Sequence, residues 1–280
     1  MEYDYFVTRN HNYFLSYSFK LVLVFLFLLT HSRAFTKPIG ILPNPIPVNG
    51  NFLGPVGFIF PGLPSAACVN AATLPNNEAL TSLQLAYSPT RGEEPQNFYT
   101  GIATASKSFG FGFGYFGSIG EKKSTDGGFV GFGFKSNASQ YGLTYKNENL
   151  TANSLGDFDI SYLYTDLREG LSYGGILHSI NKTPQLGLGL GYVYDKTFNI
   201  ESNVLTPKAN QFSGGDFTII TASNFSISQQ IILHLQVNYS TKKSHIEPTM
   251  AVNYWLSDFT NVILQFTSPQ VWSFGFSLIL

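Results

Sequence analysis

Charge is scarce in this 280-residue sequence: Lys, Arg, Asp and Glu make up 12% of it, against the roughly 25% usual in a water-soluble globule. A surface so poor in charge must be covered by something else, so water is not its only solvent. The formal net charge of -1 leaves no basic footprint, which excludes nucleic acid as a partner. Cysteine is limited to Cys68, which excludes an intramolecular disulfide framework and a Cys-only zinc cage. After Leu29 no uninterrupted apolar run is long enough for a helix to cross a bilayer. Motifs for catalysis or cofactors are also missing: there is no Gly-x-Ser-x-Gly elbow, P-loop, His-Glu-x-x-His or EF-hand spacing. No metal, cofactor or enzymatic activity is therefore expected. A wall lipase would need a histidine, and only His178 and His234 fall within the expected strands, with Ser240 and Asn238 as nearby partners of common type. What is abundant is apolar and small: 44% hydrophobic residues, 26 Phe, 16 Tyr and 27 Gly, too apolar for a disordered chain.

Lys20 precedes the run Leu21 to Leu29, which has the length of an export-signal core and is too short for a membrane-spanning helix. Ser32 and Ala34 are small residues at the positions a signal peptidase inspects. Residues 1–34 are thus expected to be a signal peptide, with an N-terminal membrane anchor as the alternative.

From Leu80 onward the dominant pattern is alternation, the mark of strands with two unlike faces. Leu186, Leu188, Leu190 and Tyr192 alternate with Gly187, Gly189 and Gly191; Phe109, Phe111, Phe113 and Tyr115 alternate with Gly110, Gly112 and Gly114. Val130, Phe132 and Phe134 are interleaved with Gly131 and Gly133, and Leu233, Leu235 and Val237 with His234, Gln236 and Asn238. A soluble sandwich would put charge on the second face; Gly, Ser, Thr, Asn and Gln suit the lumen of a membrane barrel whose apolar face meets lipid. Aromatics near strand ends, among them Tyr87, Tyr145, Tyr162, Tyr194, Tyr239 and Phe266, fit an interfacial girdle.

Thirteen strands stand out, over residues 80–87, 98–105, 109–117, 129–135, 140–146, 158–165, 171–180, 186–194, 217–227, 231–239, 246–256, 260–267 and 271–280. Single-chain bacterial barrels have even counts, and adding 198–206 puts every long connection on one side. The fold class is therefore all-β, a transmembrane antiparallel up-and-down barrel of fourteen strands over residues 78–280, with twelve as the alternative count. Alternation turns Asp159, Glu201, His234, Gln236, Asn238, Glu247, Asn253 and Gln265 inward as a solute path, along with Lys135, Lys146 and Asn261. The glycine faces either relieve crowding where the wall curves or a plug approaches, or they line a passage for an apolar solute. At the chain end Ser273, Gly275, Leu278 and Leu280 stand in an order that resembles the C-terminal insertion signal of outer-membrane barrels, with Leu280 where an aromatic is commonest. The resemblance implies insertion by the barrel-assembly machinery.

Residues 35–77 hold eight of the 14 prolines and no sustained periodicity, so they are irregular. They are also too apolar for a tail: Phe58 and Phe60, with their neighbours, call for burial in a barrel mouth as a plug. Cys68 follows a stretch broken by Pro61, Gly62 and Pro64, which is no lipoprotein signal, and reads as a small buried residue. Asn70-Ala71-Ala72-Thr73-Leu74-Pro75 resembles the Asn-Pro-Ala element in the N-terminal hatch of the long-chain fatty-acid transporter family of outer-membrane proteins, with Ala71 where that element has Pro. The resemblance implies fourteen strands, location in the cell outer membrane among its lipids, and passive passage of a small hydrophobic solute. A structural barrel without a path and a lipid hydrolase are the alternatives.

Overall fold

The computed structural model describes residues 59–60, 65–75, 79–89, 96–119, 125–147, 150, 155–166, 170–194, 197–211, 215–242, 245–267 and 271–280. The expected signal peptide, Phe58 and most of residues 35–64 lie outside them. The strands are β1 (Leu80–Ser88), β2 (Gln96–Ala105), β3 (Phe109–Ile119), β4 (Thr125–Ser136), β5 (Ser139–Asn147), β6 (Asp157–Asp166) and β7 (Leu171–His178). They continue with β8 (Gln185–Val193), β9 (Phe198–Leu205), β10 (Thr218–Ser226), β11 (Ile231–Ser240), β12 (His245–Trp255), β13 (Thr260–Thr267) and β14 (Val271–Ile279). Each strand pairs antiparallel with its sequence neighbours, and β1 pairs with β14, so the sheet is a closed barrel of fourteen. Closure satisfies every strand edge internally, the condition for a sheet in hydrocarbon. At the seam the Leu280 amide donates to Thr81 O at 2.7 Å, one residue beyond β14.

Alternation becomes two surfaces. On β8, Leu186, Leu188, Leu190 and Tyr192 are exposed, and on β3 so are Phe109, Phe113 and Tyr115. These side chains clothe the outside of the barrel. Rings on neighbouring strands meet across this face, with centroids 4.9 Å apart for Phe111 and Phe132, 5.0 Å for Phe134 and Tyr141, and 5.4 Å for Tyr141 and Tyr162. Such cross-strand aromatic pairs help pin the register. The inner face carries Ser82, Gln84, Asn203, Asn224, Gln236, Asn253 and Gln265, all buried.

The connections at the two ends differ in length. Those at residues 106–108, 137–138, 167–170, 194–197, 227–230 and 256–259 are tight and share one end. In the tightest, Asn137 has φ 57°, the left-handed conformation a two-residue hairpin needs and asparagine tolerates. The opposite end carries the longest ones, 148–156 and 206–217, together with short ones at 241–244 and 268–270. The strand bounds move little from expectation, with two instructive exceptions. β3 and β4 run on to Ile119 and back to Thr125, because Phe116 faces Gly127 and Ser118 faces Thr125, which shortens the loop expected over 118–128. β7 stops at His178 because Ser179 takes φ 55° and gives its amide to Asp159. β12 opens at His245, so a third histidine belongs to a strand.

Candidate functional site

Among the described residues the buried polar groups gather on the inner face of the barrel, where side chains arrive from every strand. Its first feature is the segment at residues 65–75. A short helix, α1 (Ala66–Val69), ends at Asn70, whose extended backbone lets its side chain accept the Ala72 amide at 3.1 Å and cap a 3₁₀ turn over Ala71–Thr73. Ala66, Ala67, Cys68, Ala71, Ala72 and Leu74 are all buried. The segment lies against the lumenal side of β3 to β6, in the space the glycines leave. A Cβ on Gly131 would stand 2.3 Å from Ala67 O, one on Gly133 2.1 Å from Ala71 O, and one on Gly142 2.1 Å from the Ala72 nitrogen. No real Cβ makes such contacts, so the glycines are what let backbone meet wall. On β8, Gly189 and Gly191 leave room in the same way for Ile59 and for Ile59 with Phe60.

Polar groups tie the segment to four strands. Thr144 Oγ1 of β5 donates to Ala67 O at 3.1 Å, and the Ala72 amide donates to Ser161 Oγ of β6 at 3.2 Å. Ser65 Oγ donates to Gln84 Oε1 of β1 at 3.2 Å. Glu201 of β9 accepts the Ile59 amide at 2.8 Å, the Phe60 amide and Asn203 Nδ2 at 3.0 Å. A buried carboxylate is costly unless hydrogen-bonded, and here the N-terminal backbone supplies most of its donors.

The second feature lies toward the longer-loop end. Asp159 is bound by Lys146, by His178 Nδ1 at 2.9 Å and by the Ser179 amide at 2.9 Å, while Asp157 accepts the Asn181 amide at 2.9 Å. Two carboxylates of β6 thus hold the β7–β8 connection to the wall. Nearby on the lumenal face is an aromatic stack: Tyr99 and Phe129 have centroids 6.0 Å apart, Phe116 and Phe129 6.5 Å, all three buried. This stack was not anticipated from the sequence. The signal for it was phase: Phe129 is in step with Gly131 and Gly133, and Phe116 with Gly110 to Gly114, so both rings belong to the inner face.

The residues read as lumenal lie in the inward phase of their strands. His234, Gln236, Asn238, Asn253, Asn261 and Gln265 are buried on β11 to β13, while Glu247 and Lys135 face inward half-buried near strand ends. They are not brought to one point. His234 Nδ1 meets Asn224 Oδ1 at 2.7 Å, and Gln236 Nε2 donates to Asn238 Oδ1 at 2.8 Å. Ser240, bonded to Asp216, lies six positions along β11 from His234, roughly 20 Å at strand rise, so the two do not form a nucleophile and base. Of the terminal residues, Ser273 is buried inside, Leu278 pairs with Leu83 at the seam, and Leu280 is exposed.

A closed antiparallel barrel, apolar outside and polar within, is a transmembrane β-barrel of the outer-membrane type. No protein-family model matches the chain, and no curated protein does. Among solved structures it is similar to a triple mutant of the Rhodopseudomonas blastica porin, at 9% identity and TM-score 0.45, covering 72% of this chain and 98% of that one. A second, five-substitution mutant of the same porin is matched at 10% identity with the same TM-score and coverage.

Proposed function

We propose that the chain is an outer-membrane channel for passive passage of a small hydrophobic solute, closed by its N-terminal segment acting as a plug. The observation that carries this is the seating of residues 59–60 and 65–75 on the lumenal wall through glycine gaps and single hydrogen bonds to β1, β5, β6 and β9. Each tie is a single hydrogen bond between the segment and a wall side chain, and such bonds can be exchanged for water when the segment moves. The Tyr99, Phe129 and Phe116 stack near the longer-loop end supports an apolar solute, since it gathers three rings at one place on the inner face. Residues 1–34 would direct export, and the ending with Ser273, Gly275, Leu278 and Leu280 would be read by the assembly machinery.

A structural barrel without a path is favoured by one fact, the complete burial of Asn203 and Asn253 on the inner face. Planar-bilayer recording separates the two. The full chain should give rare brief steps, and Thr144→Val with Glu201→Ala, which removes two of the ties, should lengthen and multiply them. Silence from both proteins would leave the structural reading standing.

A further inference from the structure

The strand register places Gln84 opposite Ser277, Ser277 opposite Asn261, and Asn261 opposite Trp255. Four adjacent strands, β1, β14, β13 and β12, thus give one inward side chain each to a single row, with steps of about 5 Å. Every member is at most 4% exposed. Gln84 Nε2, Ser277 Oγ and both Asn261 Nδ2 and Oδ1 have no hydrogen-bond partner. Buried polar atoms are satisfied in more than nine cases of ten, so a cluster of orphans at consecutive register positions calls for a partner from outside the wall.

We propose that this row binds the uncharged hydroxyl or carboxamide head of a solute, with the Trp255 ring against its apolar body. The proposal rests on the channel reading and names its substrate class. The orphaned atoms include donors and acceptors together, which match a group that both gives and takes a hydrogen bond. Ser65 Oγ already occupies Gln84 Oε1, so one side of that amide is held and its nitrogen is left for the ligand. No charged residue belongs to the row. Lys146 is bound to Asp159 on β5 and β6, and Glu201 holds the Ile59 amide on β9, so neither is a counter-charge here. A carboxylate head would meet no counter-charge here and has no donor for Asn261 Oδ1, whereas a neutral head both gives and takes hydrogen bonds and would restore the missing ones.

The chain holds two tryptophans, and Trp272 is exposed on the outside, so Trp272→Phe leaves Trp255 as the only indole reporter. Full-length Trp272→Phe protein in liposomes is titrated with benzamide, benzyl alcohol and benzoate, which share a ring and differ in head group. Trp255 emission should change saturably with benzamide or benzyl alcohol, the two arms telling carboxamide from hydroxyl, and not with benzoate. Asn261→Leu should raise the half-saturating concentration about tenfold or more, the loss expected for an unmet buried hydrogen bond. Ser277→Ala, a smaller change, should raise it in the same direction and guards against a fold defect, checked by heat-modifiable migration. An equal response to benzoate, a linear response unaltered in both variants, or no response to any of the three would overturn the site. Conductance steps without saturable binding would dismiss the site and keep the channel; saturable binding in a protein silent in the bilayer would do the reverse.

Discussion

Single residues decide how closely two backbones can approach inside this barrel, and Gly131 shows it best. Any side chain there would drive a Cβ to within 2.3 Å of Ala67 O, and the obstacle is backbone rather than a flexible tip. Gly128, three positions earlier and on the other face, has nothing nearer than 3.4 Å. Gly131→Leu should therefore push the N-terminal segment off β4 and raise the time a full-length channel spends open in bilayer recordings, while Gly128→Leu should behave as the parent. Equal gating in the two variants would show that the segment does not control the path. Asp159 is a second position where one atom group carries several partners. Removing its charge takes from buried Lys146 the carboxylate it binds and loosens the Ser179 amide, and breaking a buried pair costs about 3–5 kcal/mol. Asp159→Asn should thus lower the temperature at which the folded form is lost in heat-modifiability gels, and an unchanged transition would refute the ion pair's structural weight.

At the level of strands, what could be read from the sequence was what depends on neighbours along the chain. Alternation located thirteen of the fourteen strands, because the side-chain period of a strand is a local property, and the parity of the connections brought in β9. Counting in twos puts His234, Gln236 and Asn238 on one side and Leu235 and Val237 on the other, and in the barrel the first three are buried and the last two exposed. What depends on partners far along the chain was hidden. Lys146 and Asp159 meet diagonally across β5 and β6, where Thr144 faces Asp159 and Lys146 faces Asp157, and no pattern within either strand states that register. The same holds for α1 and the turn after it: residues 65–75 have no amphipathic period, and their shape comes from Thr144, Ser161 and the glycine floor. The aromatic stack lay between these cases, since phase showed which face the rings take while only pairing with Gly127 shows why Phe116 has room there.

For the molecule as a whole, the outer belt and the inner lining make opposite demands on solvent, and this can be tested by where a charge is tolerated. Leu188 is 56% exposed at the middle of β8, with apolar neighbours at Leu186 and Leu190 on the same face. Tyr194 is 71% exposed one residue past the strand's end, at the level where an aromatic girdle meets headgroups. In a water-soluble protein both are surface positions, and arginine at either would change stability by a few tenths of a kcal/mol. In a bilayer the cost depends on depth: about 2–4 kcal/mol at the midplane, falling to about 0–1 kcal/mol near the interface. Leu188→Arg should therefore shift the denaturant midpoint of the liposome-folded barrel strongly, whereas Tyr194→Arg should leave it nearly unmoved. If both variants unfold with the parent, the leucines and aromatics of β3 to β8 do not face hydrocarbon, and a conduit through a membrane has no wall to run along.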